Sequence, residues 1–233
     1  MIRIFREQQH GRSNLGWLFS RFHFSFADYH NTERMRFGAL RVLNDDLVKP
    51  GTGFEMHPHR DMEIFTYVVD GELTHADSMG NSRTLGRGDV QYMSAGTGIF
   101  HSEHNRGTRM LRFLQIWIYP EKKNLPSAYG DERFPWDLRV NRLFLMAGPR
   151  ESKAPITIAQ DARILASYIE AGCEVTLPVE QGRQVYLVNI EGELDISGEL
   201  LHERDAAELT VGPVVLGTSR GSHVLMVDMA AQG

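Results

Sequence analysis

Apolar residues along this chain recur mostly at every second position, in short runs bounded by Gly, Asn, Asp and Pro, and rarely at helical spacing. That pattern predicts an all-β protein. Phe22, Phe24 and Phe26 alternate through residues 21–26, and residues 39–42, 64–69 and 111–118 carry the β-branched and aromatic side chains of strands. The series resumes at residues 141–146, 184–190 and 224–229. Between the runs lies turn chemistry. Gly80-Asn81 fits a hairpin loop, and Gly86 and Gly88 on either side of Arg87 supply two positions that tolerate positive φ. Closely spaced strands of this kind predict a sandwich or a barrel. Alternating phenylalanines are more often core than pocket, so Phe22, Phe24, Phe26 and Phe100 are expected to pack rather than to receive a ligand.

Residues 119–136 carry three prolines and several charges without a sustained period, which marks a connection between two units. Domains are accordingly expected at 1–130 and 131–233. A faint repeat links them: VVDGEL at residues 68–73 returns as NIEGEL at residues 189–194, an offset of 121 positions that also takes Gly51 to Gly172 and Phe65 to Tyr186. A duplicated barrel accounts for this.

Composition narrows the function classes. Apolar residues make up 42% and charged residues 24%, the values of an ordinary soluble globular chain. The net charge of -5 repels a phosphate backbone, and Arg106, Arg109 and Arg112 form no patch dense enough to reverse that, so direct nucleic-acid binding is not expected. A single cysteine, Cys173, excludes an internal disulfide and reads as structural. Charges interrupt the apolar residues at the N-terminus, and no run approaches the roughly 18 apolar residues of a membrane span. A cytoplasmic, non-membrane monomer is expected.

The candidate chemistry lies in two segments. GTGFEMHPHRDME, residues 51–63, holds His57 and His59 two apart. GTGIFHSEHN, residues 96–105, holds His101 and Glu103 at the same spacing. Side chains two apart on a strand project from one face, so each pair can reach a single ion. Pro58 lacks an amide proton, which places it at an edge or bulge and biases His57 toward extended geometry. Three imidazoles and a carboxylate suit one divalent transition metal and leave coordination positions open. Iron, manganese, nickel, copper, cobalt and zinc all accept such donors. His10, His23, His30, His75, His104, His202 and His223 have no such pairing and read as structural or exposed. Glu63 or Asp61 is expected to orient a ligating imidazole by accepting its second N–H.

The spacing Gly51, His57, His59, Glu63 resembles the first motif of the cupin superfamily, and Gly88, Gly98, His101 and Asn105 resemble the second. MSAGTGIFHSEHN, residues 93–105, is similar to the pirin family's version, in which the glutamate comes from HSE. The likeness extends through SFADYH, residues 25–30, FGALRVLNDD, residues 37–46, HPHRDMEIFTYVVDGEL, residues 57–73, and DSMGN, residues 77–81. It implies two jelly-roll cupin barrels in one chain, with metal held in the N-terminal barrel only by His57, His59, His101 and Glu103. Under the repeat offset, His57 falls on Pro178 and His59 on Glu180, in keeping with a metal-free second barrel. The resemblance also implies Fe(II) as the favoured ion and a quercetin 2,3-dioxygenase activity on flavonols and dioxygen, with Glu103 as general base. Its alternative is a metal- or redox-responsive regulator that binds a protein partner.

Overall fold

The computed structural model describes residues 1–231, and strands dominate it. The contacts divide the chain differently from the expected 1–130 and 131–233. Gly11–Phe134 forms one unit, whereas Met1–His10 joins the segment from Pro135 onward in the other. Local periodicity could not reveal this. β1 (Ile2–Phe5) is an edge strand whose ladder runs to residues 206–209, far away in sequence.

The first unit comprises β2 (Gly11–Asn14), β3 (Leu18–Phe22), β4 (Leu40–Val48), β5 (Thr52–His59), β6 (Glu63–Asp70), β7 (Leu73–Asp77), β8 (Ser82–Leu85), β9 (Val90–Ser94), β10 (Ile99–Asn105), β11 (Leu111–Ile118) and β12 (Ala128–Glu132). They form a seven-stranded sheet ordered β12-β9-β6-β11-β4-β3-β2 and a four-stranded sheet ordered β5-β10-β7-β8. The second unit holds β13 (Phe144–Gly148), β14 (Ile156–Thr157), β15 (Ala162–Ile169), β16 (Glu174–Leu177), β17 (Arg183–Gly192), β18 (Leu194–Ile196), β19 (Glu199–Leu201), β20 (Ala206–Leu209), β21 (Val214–Gly217) and β22 (Ser222–Ala230). Its sheets, β1-β20-β17-β22-β15-β13-β14 and β16-β21-β18-β19, repeat the strand order of the first pair, except that β14 runs parallel to β13 where β2 runs antiparallel to β3. Each unit is therefore a jelly-roll barrel of two facing sheets, and the faint repeat is a true duplication.

Two local expectations need correction. Residues 21–26 are not one strand: β3 ends at Phe22, and Phe24 is buried by packing rather than by ladder pairing. The supposed connection at 119–136 contains β12, an edge strand that pairs with β9 from Ala128↔Ser94 to Glu132↔Val90. The predicted turns at Gly80 and Gly88 are present, both at positive φ.

The two interiors differ. The second barrel has a continuous apolar core that includes Val185, Leu187, Leu209, Leu216 and Met226, with Cys173 packed against it. In the first barrel one apolar cluster contains Leu18, Val68, Leu111 and Phe113, and another contains Ile64, Met93 and Ile99. Between them runs a polar row. Asn44 pairs with Gln115, Gln115 with Thr66, and Thr66 with Gln91, across four adjacent strands. Cross-strand partners share a face, so all four side chains project into the barrel, where each is buried. The equivalent row in the second barrel is Leu165, Met226, Leu187 and Ala207.

Candidate metal centre

The expected ligands come from the four-stranded sheet, where β5 and β10 pair antiparallel with His101 directly opposite His57 and Ile99 opposite His59. The ladder shifts register between His101 and Glu103. Such a bulge re-aims side chains at the point where a site is needed. Gly53 makes the close strand approach beside it, because a Cβ there would run into the Glu103 carbonyl oxygen and the Cα of His104.

One donor atom from each of His57, His59 and His101 lies within 4.8 Å of the others. The ring centroids are 4.7 Å apart for His57 and His59, 4.5 Å for His57 and His101, and 4.9 Å for His59 and His101. Among the described residues this is the one group of metal-ligating side chains so gathered. His57 Nδ1 donates to the carbonyl oxygen of Glu55 at 2.7 Å, which leaves the lone pair on Nε2. For His57 the orienting acceptor is thus the Glu55 backbone oxygen, where the sequence suggested Asp61 or Glu63. Asp61 accepts the backbone N–H of Asn124, and Glu63 accepts the Tyr92 hydroxyl.

His101 is fully buried, and neither ring nitrogen has a hydrogen-bond partner. An orphaned buried polar atom costs about 1–3 kcal/mol, and a ligand that accepts the lone pair of one His101 nitrogen relieves part of that cost. A divalent ion fits that role. Burial, then the neighbouring His57 and His75, pushes His101 down to about 3. Burial, then His101 and His57, brings His59 to about 3 as well. Both rings therefore keep their lone pairs at ordinary pH, as metal ligation requires.

Glu103 lies outside the three-imidazole group. Its carboxylate is buried in the same interior and its charge is felt at His59. Thr66 Oγ1 donates to Oε1 at 2.8 Å, Gln91 Nε2 to Oε1 at 3.0 Å, and Gln115 Nε2 to Oε2 at 2.8 Å. Sequence reasoning missed these three donors. Each is the single polar residue facing inward from a strongly apolar strand, and that interruption was the available signal.

His75 is buried opposite Glu103 on β7, with Nε2 3.2 Å from Asp77 and its ring stacked on Tyr129. His104 is partly exposed and does not join the three imidazoles. An aromatic wall runs outward from the site: Trp117 lies edge-on to His59 at 4.8 Å, and Phe26 edge-on to Trp117 at 5.4 Å. Phe100 is half exposed.

In the second barrel Ile196 occupies the place of His75, and Leu216 that of Glu103. Leu216 pairs with Val175 and Ile196 just as Glu103 pairs with Phe54 and His75. Apolar residues replace the donor set.

A family model described as Pirin matches residues 4–118, and one described as Quercetinase C-terminal cupin domain matches residues 145–229. A pirin-like protein of Caulobacter vibrioides is 40% identical over 222 residues, covering 94% of this chain and 96% of its own. A quercetin 2,3-dioxygenase of Escherichia coli is 38% identical over 231 residues, covering 98% and 99%. The crystal structure of the bacterial pirin YhhW from Escherichia coli in complex with nickel(II) superposes with a TM-score of 0.93 at 34% identity, over all of both chains.

Proposed function

The chain belongs to the pirin family, and from that premise we propose that its first barrel is a metal-dependent dioxygenase site acting on flavonols such as quercetin. The observation that carries this reading is His101, buried with both nitrogens unpartnered inside a group of three imidazoles. The three gathered imidazoles support a place for an ion. His57, His59 and His101 would hold it with Glu103 as the fourth donor, and Fe(II) is the favoured occupant. When bound, the ion supplies a Lewis acid and a template for an oxygen-bearing substrate and dioxygen.

The remaining chemistry falls to this chain's own side chains. Glu103, once its free Oε2 lone pair is released from the ion, is the base for the flavonol hydroxyl, since its carboxylate is buried beside the imidazoles. Its three neutral donors fix its position without cancelling its charge. Trp117 and Phe26 offer flat apolar surface next to His59, suited to a planar ring system. Surrounding apolar residues, Ile64, Met93 and Ile99, keep bulk water from the reacting atoms.

Protein purified anaerobically and loaded with Fe(II) should consume dioxygen in the presence of a flavonol and release carbon monoxide. Chelation should stop both. Glu103→Gln should retain metal while turnover falls by about two orders of magnitude, the usual contribution of a positioned base. Metal-loaded protein that leaves every flavonol intact, yet changes affinity for a protein partner on oxidation, would replace this reading with a regulatory one.

A further inference from the structure

A carboxylate has about four lone-pair positions, two on each oxygen. On Glu103, Oε1 receives both the Thr66 hydroxyl and the Gln91 amide, whereas Oε2 receives only the Gln115 amide. A single lone pair is therefore left, on Oε2. The Thr66 hydroxyl also lies 3.1 Å from Gln115 Oε1, but its one proton goes to the shorter contact at Glu103.

The donors come from three different strands of the facing sheet, aligned in one transverse row. Burying such a row in a β-barrel costs stability unless every group is satisfied. The duplicated barrel shows the inexpensive solution, with Leu187, Ala207 and Met226 at the same three positions and Leu216 in place of Glu103. Barrel formation does not require the polar row, so its retention in the first barrel belongs to the site.

We propose that Thr66, Gln91 and Gln115 are positioning residues that limit Glu103 to one bond through Oε2 and so prevent it from chelating a metal through both oxygens. This inference rests on the reading that the imidazoles hold an ion. Its consequence is coordination number. A two-oxygen carboxylate would occupy one more position beside three imidazoles, and a position left open is where a small exogenous ligand or a substrate oxygen enters.

The test uses full-length protein loaded with Co(II) and titrated with azide, read by the visible absorption of the ion. Thr66→Val with Gln91→Leu releases Oε1. Azide affinity should fall about tenfold while Co(II) stays bound at least as tightly as in the wild type, the scale on which such outer partners act. Thr66→Ser keeps the hydroxyl donor and should restore wild-type azide binding, an effect that loss of packing alone would not produce. If the double variant does not fold, the near-isosteric Thr66→Val gives the same comparison, with a smaller fall expected relative to Thr66→Ser. A folded, Co(II)-loaded Thr66→Val or double variant with unchanged azide affinity and spectrum overturns this inference alone. Wild-type protein that takes up no Co(II) overturns the metal-site reading and this inference with it.

Discussion

His101 stands directly opposite His57 in the β5–β10 ladder, and their ring centroids lie 4.5 Å apart with no hydrogen bond to either nitrogen of His101. A metal-free barrel would be more stable without that ring. His101→Leu should abolish high-affinity metal binding yet raise the stability of the chelated protein by roughly 1–3 kcal/mol, the cost of orphaned buried polar atoms. Denaturant titrations of both proteins in chelator check this. A destabilised variant would mean that the ring has a structural partner.

Gly53 permits the close approach of β5 to the bulge between His101 and Glu103. Its φ is not in the left-handed region, so any effect of Gly53→Ala is steric. The added methyl should displace β10 at Glu103 and weaken Ni(II) binding by about 10-fold or more. Isothermal titration measures it, and wild-type affinity would show that the strands can separate without cost to the site.

Asp46 lies on β4 and is pushed up to about 7, chiefly by burial, with the Asp45 and Glu103 charges adding and the Ser20 hydrogen bond opposing. Between pH 3.8 and about 7 the folded chain keeps a proton that the unfolded chain releases. Stability conferred by that proton is complete below the unfolded value and is lost as pH rises through the folded one, by an amount on the order of a few kcal/mol. Asp46→Asn should therefore match the wild type near pH 4 and exceed it at pH 8. Chemical denaturation of chelated protein across this range tests the sign, and a difference that does not vary with pH would contradict it.

Arg112 binds Asp45 through Nε at 2.9 Å and Nη2 at 2.6 Å, and both side chains are buried. This pair ties β11 to β4, the strands that carry Gln115 and Asn44. Asp45→Asn removes the charge that faces the buried guanidinium and should cost about 3–5 kcal/mol, in contrast to the small effect of an exposed pair. Thermal unfolding reads the loss, and an unchanged midpoint would contradict it.

What could be read in the chain followed the range of each interaction. The eight residues of β11 are the ones that alternation indicated, and β6 extends its expected span by one residue at each end. The gathering of His57 with His59 was legible because strand parity is a local rule, whereas Glu103, past a register shift from His101, lies outside the three-imidazole group. The donors to Glu103 were not legible, since Thr66, Gln91 and Gln115 meet only through the register of three ladders. β12 escaped notice because Ala-Tyr-Gly-Asp-Glu has no apolar alternation and its pairing is imposed by β9. Phe24 misled in the opposite direction: its burial reflects packing beyond the end of β3.

Two paired strands bring three imidazoles together as donors for one ion. Metal content per chain, measured on anaerobically prepared protein after saturation with Fe(II) or Ni(II) and removal of excess, tests that role most directly. One ion is expected for the wild type and none for the double variant His59→Ala with His101→Ala. Equal stoichiometry in the two proteins would contradict that role.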